Sequence, residues 1–318
     1  MNSSAVTYNI AGTSVLPSSK DPMRGLYSAI RNFMCGCFAL VLTASGCVRR
    51  ANRRALSGSV ITALYFHEPN RRLFCRCIKW LISHGYTFIS GSDLWEALRD
   101  GKPFPKGAVW LSFDDGGRDL LDDVLPLIRE HRIPITLFIP TGIVGGDGRF
   151  PWLRGENSPA RRRIGASISP SARNGSRDSM TVAEVKQVAA YREVTMGSHT
   201  ISHPMMARCT EADLRREISG SKGALESWTN VAVDCFSYPY GNFDGRERQH
   251  LINFGYLMAA TTENTFITPQ VDRYRIPRFA VANNISFPEA VCNMVGIWRP
   301  FADALKKPLV RLGRMGQA

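Results

Sequence analysis

The order of its apolar runs constrains this chain more than any other feature. Val60-Ile-Thr-Ala-Leu-Tyr-Phe66, Tyr86-Thr-Phe-Ile89, Val109-Trp-Leu-Ser-Phe113 and Ile135-Thr-Leu-Phe-Ile139 are short runs of strand type. Between them the period changes. Leu73, Cys77, Trp80 and Leu81 recur at helical spacing, with Gly85 placed to cap the helix end. Ser92 offers an N-cap before Leu94, Trp95, Ala97 and Leu98, and Leu120 to His131 reads as one helix. Thr181, with Glu184 three residues on, forms a capping box that starts another. Strands that are apolar along their whole length need cover on both faces, so the alternation predicts a parallel α/β sheet or barrel. Chemistry in that architecture gathers at the C-terminal ends of the strands.

Composition excludes more than it selects. At 44% hydrophobic and 21% charged residues, the chain is neither disordered nor fibrous. No apolar run has the length of a multi-pass membrane protein's spans. Forty Lys+Arg against 27 Asp+Glu leave a net charge of +13, which argues for contact with something acidic (nucleic acid, lipid headgroups or anionic polymers) without saying which. Nucleic acid is not the expected partner, because the Arg-rich stretch carries no reading motif. The 8 cysteines include two C-x-C pairs but no C-x-x-C, which argues against a cysteine zinc ribbon and a thioredoxin-type site. Most are read as small buried hydrophobes. No internal repeat is present.

Residues 1–58 read as a targeting segment and tether. A polar stretch over 1–32 precedes Phe33 to Val48, uncharged and largely apolar, the length of a signal-peptide core. It ends Ala44-Ser45-Gly46-Cys47, similar to the lipobox of bacterial lipoprotein signals, with Ala44 where Leu is usual. Translation from Met23 would give a signal of ordinary length. A periplasmic or membrane-anchored protein is the expectation, attached through its N-terminus, with a cytoplasmic location as the alternative. A short non-cleaved anchor or a buried helix would also account for the apolar run. Val48 to Ser59, with four arginines, is expected to be a flexible tether. The main domain is then 59–298, interrupted at 145–179 by a Gly-, Ser-, Pro- and Arg-rich insertion, and 299–318 is a basic tail.

Asp114 and Asp115 follow a predicted strand directly and precede Gly116-Gly117. Two adjacent carboxylates repel, so burying both calls for a cation or a proton; an exposed acidic turn is the alternative. His199 and His203, four apart, are predicted to share one face of a helical turn. Thr200 stands where a metalloprotease H-E-x-x-H needs its Glu, which excludes that enzyme class. Two histidines and one aspartate make a three-ligand site with an open position, the arrangement of catalytic metals.

Leu111-Ser-Phe-Asp-Asp-Gly116 resembles the T-F-D-D-G motif of the polysaccharide deacetylases, the family of the NodB chitooligosaccharide deacetylases. Gly197-Ser-His-Thr-Ile-Ser-His-Pro204 and Phe236-Ser-Tyr-Pro-Tyr-Gly241 are similar to its second and third motifs. Leu64-Tyr-Phe-His-Glu68 resembles the opening strand of the poly-N-acetylglucosamine deacetylase branch, and Arg275-Ile-Pro-Arg-Phe279 a late arginine-bearing strand. The resemblance implies a distorted (β/α)7-type barrel and a metal-dependent removal of N-acetyl groups from an acetylated amino-sugar polymer or oligomer. It implies that Asp115, His199 and His203 bind a divalent metal, usually zinc, and that Asp114 is the general base. It gives the Tyr240 N–H to the oxyanion, and Tyr238, Pro239 and Tyr240 to substrate. The late L-x-H motif that supplies the acid in the main family is missing; the poly-N-acetylglucosamine branch takes its acid from a histidine after the first strand, and the resemblance gives that place to His67, with a structural histidine at the strand end as the alternative. Ser237 stands where many members have an arginine, and Arg278 is the candidate to orient Asp114 in its place. His84 and His131 read as helix-end histidines and His250 as a surface one. Trp152 and Phe150, in the insertion, are candidates to stack on sugar or to pack locally. A non-catalytic carbohydrate-binding module, or a hydrolase of O-acetyl or other C–N substrates, is the competing reading; retention of Asp114 argues against the module.

Overall fold

A computed structural model describes residues 22–303, apart from 69, 102 and 154–177. Most of the insertion and of the basic tail therefore lies outside the described residues. Eight parallel strands form one curled sheet. They are β1 (Thr62–Phe66), β2 (Thr87–Ile89), β3 (Ala108–Phe113), β4 (Ile135–Ile139), β5 (Val194–Ser198), β6 (Cys235–Ser237), β7 (Met258–Ala260) and β8 (Phe279–Ala280). The order is β7-β6-β5-β4-β3-β1-β8, with β2 beside β3. Ala260 bridges Ile276, three residues before β8, which brings the two sheet edges together into the expected barrel.

Strand periodicity sorts the side chains. Leu64, Phe66, Val109, Leu111, Phe113, Leu137 and Ile139 face outward into the main core under the helices. Ala63, Trp110, Phe138, Met258 and Ala260 face inward and plug the barrel floor. Trp110 donates its indole N–H to Thr136 Oγ1 at 2.9 Å, so the polar edge of that plug is satisfied. Gly197 is required at this level: a Cβ there would stand 2.5 Å from the Phe138 ring.

The helices are α1 (Pro22–Ala44), α2 (Cys47–Ala55), α3 (Arg71–Ser83), α4 (Gly91–Arg99), α5 (Asp119–Asp123), α6 (Leu125–His131), α7 (Thr141–Val144), α8 (Val182–Ala189), α9 (Glu211–Thr229), α10 (Glu247–Asn253) and α11 (Phe287–Met294). Three expectations are corrected. Ser90, not Ser92, caps α4, in a capping box with Asp93, because the helix starts one residue after the strand's last loop position. The single helix expected over Leu120–His131 is two, broken at Val124. Pro126, in the first turn of α6, has no N–H to donate and cannot continue the helix across the break. The expected tether is α2, which buries Val48 and Ala55 and turns its arginines outward. An amphipathic helix with a core to dock on is more stable than a tether of the same sequence.

Candidate metal centre and catalytic site

The same parity that plugs the floor with Trp110 and Phe138 sends Tyr65, Ser112, Asp114, Ser237 and Arg278 into the barrel at its upper end. Asp114 and Asp115 open the turn after β3. The Asp114 N–H still donates to Phe66 O at 2.9 Å, while Asp115 has φ 70°. That switch to the left-handed region points the second carboxylate away from the first, towards the loop after β5.

His199 and His203 meet it there, but not on a helix. The loop is irregular, with Thr200 at φ 67° and His203 at φ 58°. Non-glycine residues in this region are strained by about 1–3 kcal/mol and need outside support. Glu217 of α9 provides it, accepting from Ile201 N and Ser202 N at 2.9 Å each and from Ser202 Oγ at 2.8 Å. The helical-turn expectation gives way because this buried carboxylate serves N–H groups that a helix would turn elsewhere.

His199 donates its Nδ1–H to Ser237 O at 2.7 Å, which leaves the Nε2 lone pair free. Its Nε2 lies 3.2 Å from His203 Nε2 and 3.5 Å from Asp115 Oδ1, and His203 Nε2 lies 3.3 Å from Asp115 Oδ1. All three ligand atoms fall within 4.8 Å of one another, and all three residues are buried. Among the described residues Asp115 Oδ1 has no hydrogen-bond partner. Burial, then the Asp114 and Glu68 charges, pushes the Asp115 carboxyl well above the usual carboxylate range. Burial lowers His199 to about 4 and His203 to about 2, so both rings are neutral donors at pH 7. An orphaned carboxylate oxygen facing two neutral imidazole nitrogens fits a divalent cation.

Asp114 has a different environment. Burial alone would raise its pKa, but the Arg278 charge, with smaller help from His199, holds it down at about 2. Arg278 is wholly buried. Its fork grips the carboxylate, Nη1 to Oδ1 and Nη2 to Oδ2 at 2.8 Å each. Nη1 also reaches Ser112 Oγ at 2.9 Å, Nη2 reaches Ser237 Oγ at 2.8 Å, and Nε reaches Thr261 O at 3.1 Å. Every guanidinium N–H thus has an acceptor. Arg278 reaches Asp114 from the position just before β8, within hydrogen-bond distance of Ser237.

Tyr240 sits in the 3-10 turn Pro239–Gly241 with φ 59°. The N–H groups of Tyr238, Gly241 and Asn242 donate to backbone carbonyls, whereas that of Tyr240 donates to none among the described residues. Its half-exposed ring lies 4.5 Å from that of His203. Tyr238 and Pro239, expected at the substrate, are buried instead. Tyr238 stacks on Phe243 at 4.8 Å and donates its hydroxyl to Tyr274 O at 3.0 Å, because strand parity turns its ring out of the barrel. His67 follows β1, its ring edge-on to that of Tyr65 at 5.5 Å, and has no hydrogen-bond partner among the described residues. Desolvation lowers its pKa, against the pull of Asp114.

Two residues gain a place that sequence alone could not give them. Trp152 sits 4.2 Å from the His203 ring and stacks on buried Phe150 at 4.9 Å. Its only signal was an aromatic pair in a polar insertion. Glu68, beside His67, is pushed up to about 7 by burial and by Asp119 and Asp178; nothing in the sequence brings those acids to it.

A curled parallel sheet with a cation trio and a separately ionised aspartate at its strand ends is a (β/α) barrel of the NodB deacetylase kind. The chain belongs to the polysaccharide deacetylase family, whose model matches residues 101–259. It is 24% identical over 217 residues to a poly-beta-1,6-N-acetyl-D-glucosamine N-deacetylase of Staphylococcus aureus, a match covering 65% of each chain. The Staphylococcus epidermidis protein of the same name is 22% identical over 207 residues. The chain thus spans about two thirds, 65%, of the length of the curated relatives it matches. Among solved structures, IcaB from Ammonifex degensii superposes with a TM-score of 0.60 at 18% identity, over 74% of this chain and 97% of that one. Streptococcus pyogenes deacetylase PplD gives 0.59 at 19%, over 74% and 98%.

Proposed function

We propose that the protein hydrolyses N-acetyl groups from an N-acetylglucosamine-containing polysaccharide or oligosaccharide, releasing acetate. The observation that carries the reading is the division of labour between adjacent aspartates. Asp115 faces the two imidazoles, while Asp114 is held ionised by Arg278. The two neighbouring carboxylates have separate partners, one set suited to a cation and the other a guanidinium, which lets both be ionised in one buried site.

Asp115, His199 and His203 would hold the cation, and zinc is the expected one for two imidazoles and a carboxylate with an open position. A bound divalent cation supplies Lewis acidity there, acidifying water and polarising a carbonyl oxygen. The remaining work belongs to the chain. Asp114 accepts the proton of the attacking water, and Arg278 keeps that carboxylate oriented and unprotonated until it does. The free Tyr240 N–H donates to the oxygen on which negative charge develops; one such donor is worth roughly 10²–10³ in rate. His67 delivers a proton to the departing amine nitrogen, without which an amide is a poor leaving group. Its desolvated, neutral ring must gain that proton within the reaction cycle. Trp152 and the Tyr240 ring offer apolar faces to the sugar.

The test is acetate release from N-acetylglucosamine oligomers by the zinc-loaded protein, with Asp114→Asn and His67→Ala alongside. Activity that falls at least about a hundredfold in each variant is expected. No acetate from the wild type despite bound zinc would refute the substrate assignment, and O-acetylated polymers would be assayed next. Full activity in His67→Ala would keep the reaction and remove His67 from it.

A further inference from the structure

The helix read from sequence as a leader is attached to the barrel in an unusual orientation. Its small residues face inward: a Cβ on Gly36 would meet Ser286 Oγ at 3.5 Å, and Ala39 is buried, its carbonyl 3.9 Å from Cys292 Sγ of α11. Arg31 grips the buried Glu289 of α11 through both carboxylate oxygens, at 2.6 and 3.0 Å, and Asn32 donates to Asn284 O at 3.0 Å. The large apolar residues face outward. Ile30, Phe33, Met34, Leu40 and Val41 lie on one side of α1, at the spacing of a single helical stripe, with Phe33 70% and Val41 63% exposed. A helix packed only for water would have the opposite arrangement, and a contiguous apolar stripe of this size marks an interaction surface.

Charge identifies what covers it. The chain bends by 73° into α2, which exposes Arg49, Arg50 and Arg53 beside the stripe. None of the three has an acidic partner among the described residues, and no Asp or Glu stands between Pro22 and His67 in the sequence. A second copy meeting this face about a two-fold axis would bring two such arginine sets together with no acid between them. No single helix among the described residues is long and apolar enough to cross a membrane, and the one pair that could by length and composition, Ala29–Ala44 with Cys47–Ala55, is bent by 73°. A cavity of about 500 Å³ between α1, α2, α3 and α11 carries the apolar surface inward, lined by Leu40, Val48, Trp80, Phe287 and Val291.

We propose that α1 is retained in the folded protein and lies in the plane of an anionic lipid bilayer, with the Ile30–Val41 stripe among the acyl chains and Arg49, Arg50 and Arg53 on lipid phosphates. Stripe and arginines together supply the apolar area and the electrostatic attraction that interfacial helices need. This docking departs from the expectation of a cleaved leader. It is independent of the catalytic reading, because binding requires no turnover.

The test is co-sedimentation of the full chain with phosphatidylcholine vesicles, with and without phosphatidylglycerol. Binding is expected only to the phosphatidylglycerol vesicles. It should weaken by about a hundredfold in Phe33→Glu/Val41→Glu, which puts two charges where apolar side chains would be buried. Arg49→Glu/Arg53→Glu should abolish the preference for anionic lipid. Both stripe side chains point away from the barrel, so thermal unfolding and zinc content should match the wild type, and this control separates lost docking from lost fold. A wild type that stays in the supernatant overturns the proposal, as do equal binding to both vesicle types and a dimer that the stripe substitutions dissociate.

Discussion

Replacing Arg278 tests the electrostatic core of the site. The guanidinium makes five hydrogen bonds, two of them to Asp114, from a position with no solvent access. It holds the Asp114 carboxyl at about 2, against an ordinary 3.8. That depression corresponds to roughly 2 kcal/mol favouring the ionised form, at about 1.4 kcal/mol per pKa unit. In Arg278→Met the opposing force remains: burial disfavours the Asp114 charge. The Asp114 pKa should therefore rise above its ordinary value, and the acidic limb of the kcat/KM profile should move to higher pH by about two units or more. The stability consequence has a definite sign. A depressed carboxylate contributes stability that is present above its unfolded pKa and is lost as pH falls through its folded value. The wild type should thus lose this contribution between about pH 4 and pH 2, and the variant should lack it already at pH 7. An unpaired buried carboxylate costs about 3–5 kcal/mol, so unfolding in urea is measured in parallel. Arg278→Lys keeps the charge but cannot fill five hydrogen-bond positions, and should give an intermediate profile. If the pH profile of acetate release is the same in all three proteins while each is folded, the reasoning fails.

Three other outcomes follow from the geometry. Asp115→Asn should reduce bound zinc, read by elemental analysis, to below about a tenth of the wild-type content, and chelation should then no longer lower the melting temperature. Glu217→Ala removes the carboxylate that fixes the strained loop between the two histidines; zinc affinity in a competition titration should fall about 10–100-fold, with the Asp114-dependent pH limb unmoved. Gly197→Ala puts a methyl 2.5 Å from the Phe138 ring and should cost about 1–3 kcal/mol in chemical denaturation, since neither the ring nor the strand can retreat in a filled barrel.

Much of the molecule was legible without coordinates, because it follows from local rules. Apolar strands alternating with helices require a covered parallel sheet, and two-residue periodicity assigns faces once the strands are known. Asp114 and Arg278 share the inward parity of Trp110 and Phe138, and so a polar layer above the plug is implicit in the strand sequences. The neighbouring aspartates, the spaced histidines and the Tyr-Pro-Tyr-Gly turn identify the family's site from short windows. His67 and Arg278 lie outside the 101–259 match yet belong to the same reading.

What the sequence could not decide depended on partners far along the chain. That the guanidinium on Asp114 comes from Arg278, while β6 adds only the Ser237 hydroxyl at 3.4 Å, follows from barrel closure, which carries the residues before β8 to the side of β1. That His199 and His203 meet in a strained loop and not on a helix depends on a carboxylate sixteen residues away from Ile201. Local spacing allowed the helical turn, and the tertiary partner overrode it. The apolar run at Phe33–Val48 has the composition of a leader in any context. The packing of Gly36, Ala39 and Arg31 against α11 and its N-cap is a tertiary matter, because composition fixes how apolar a segment is and contacts fix which face of it is covered.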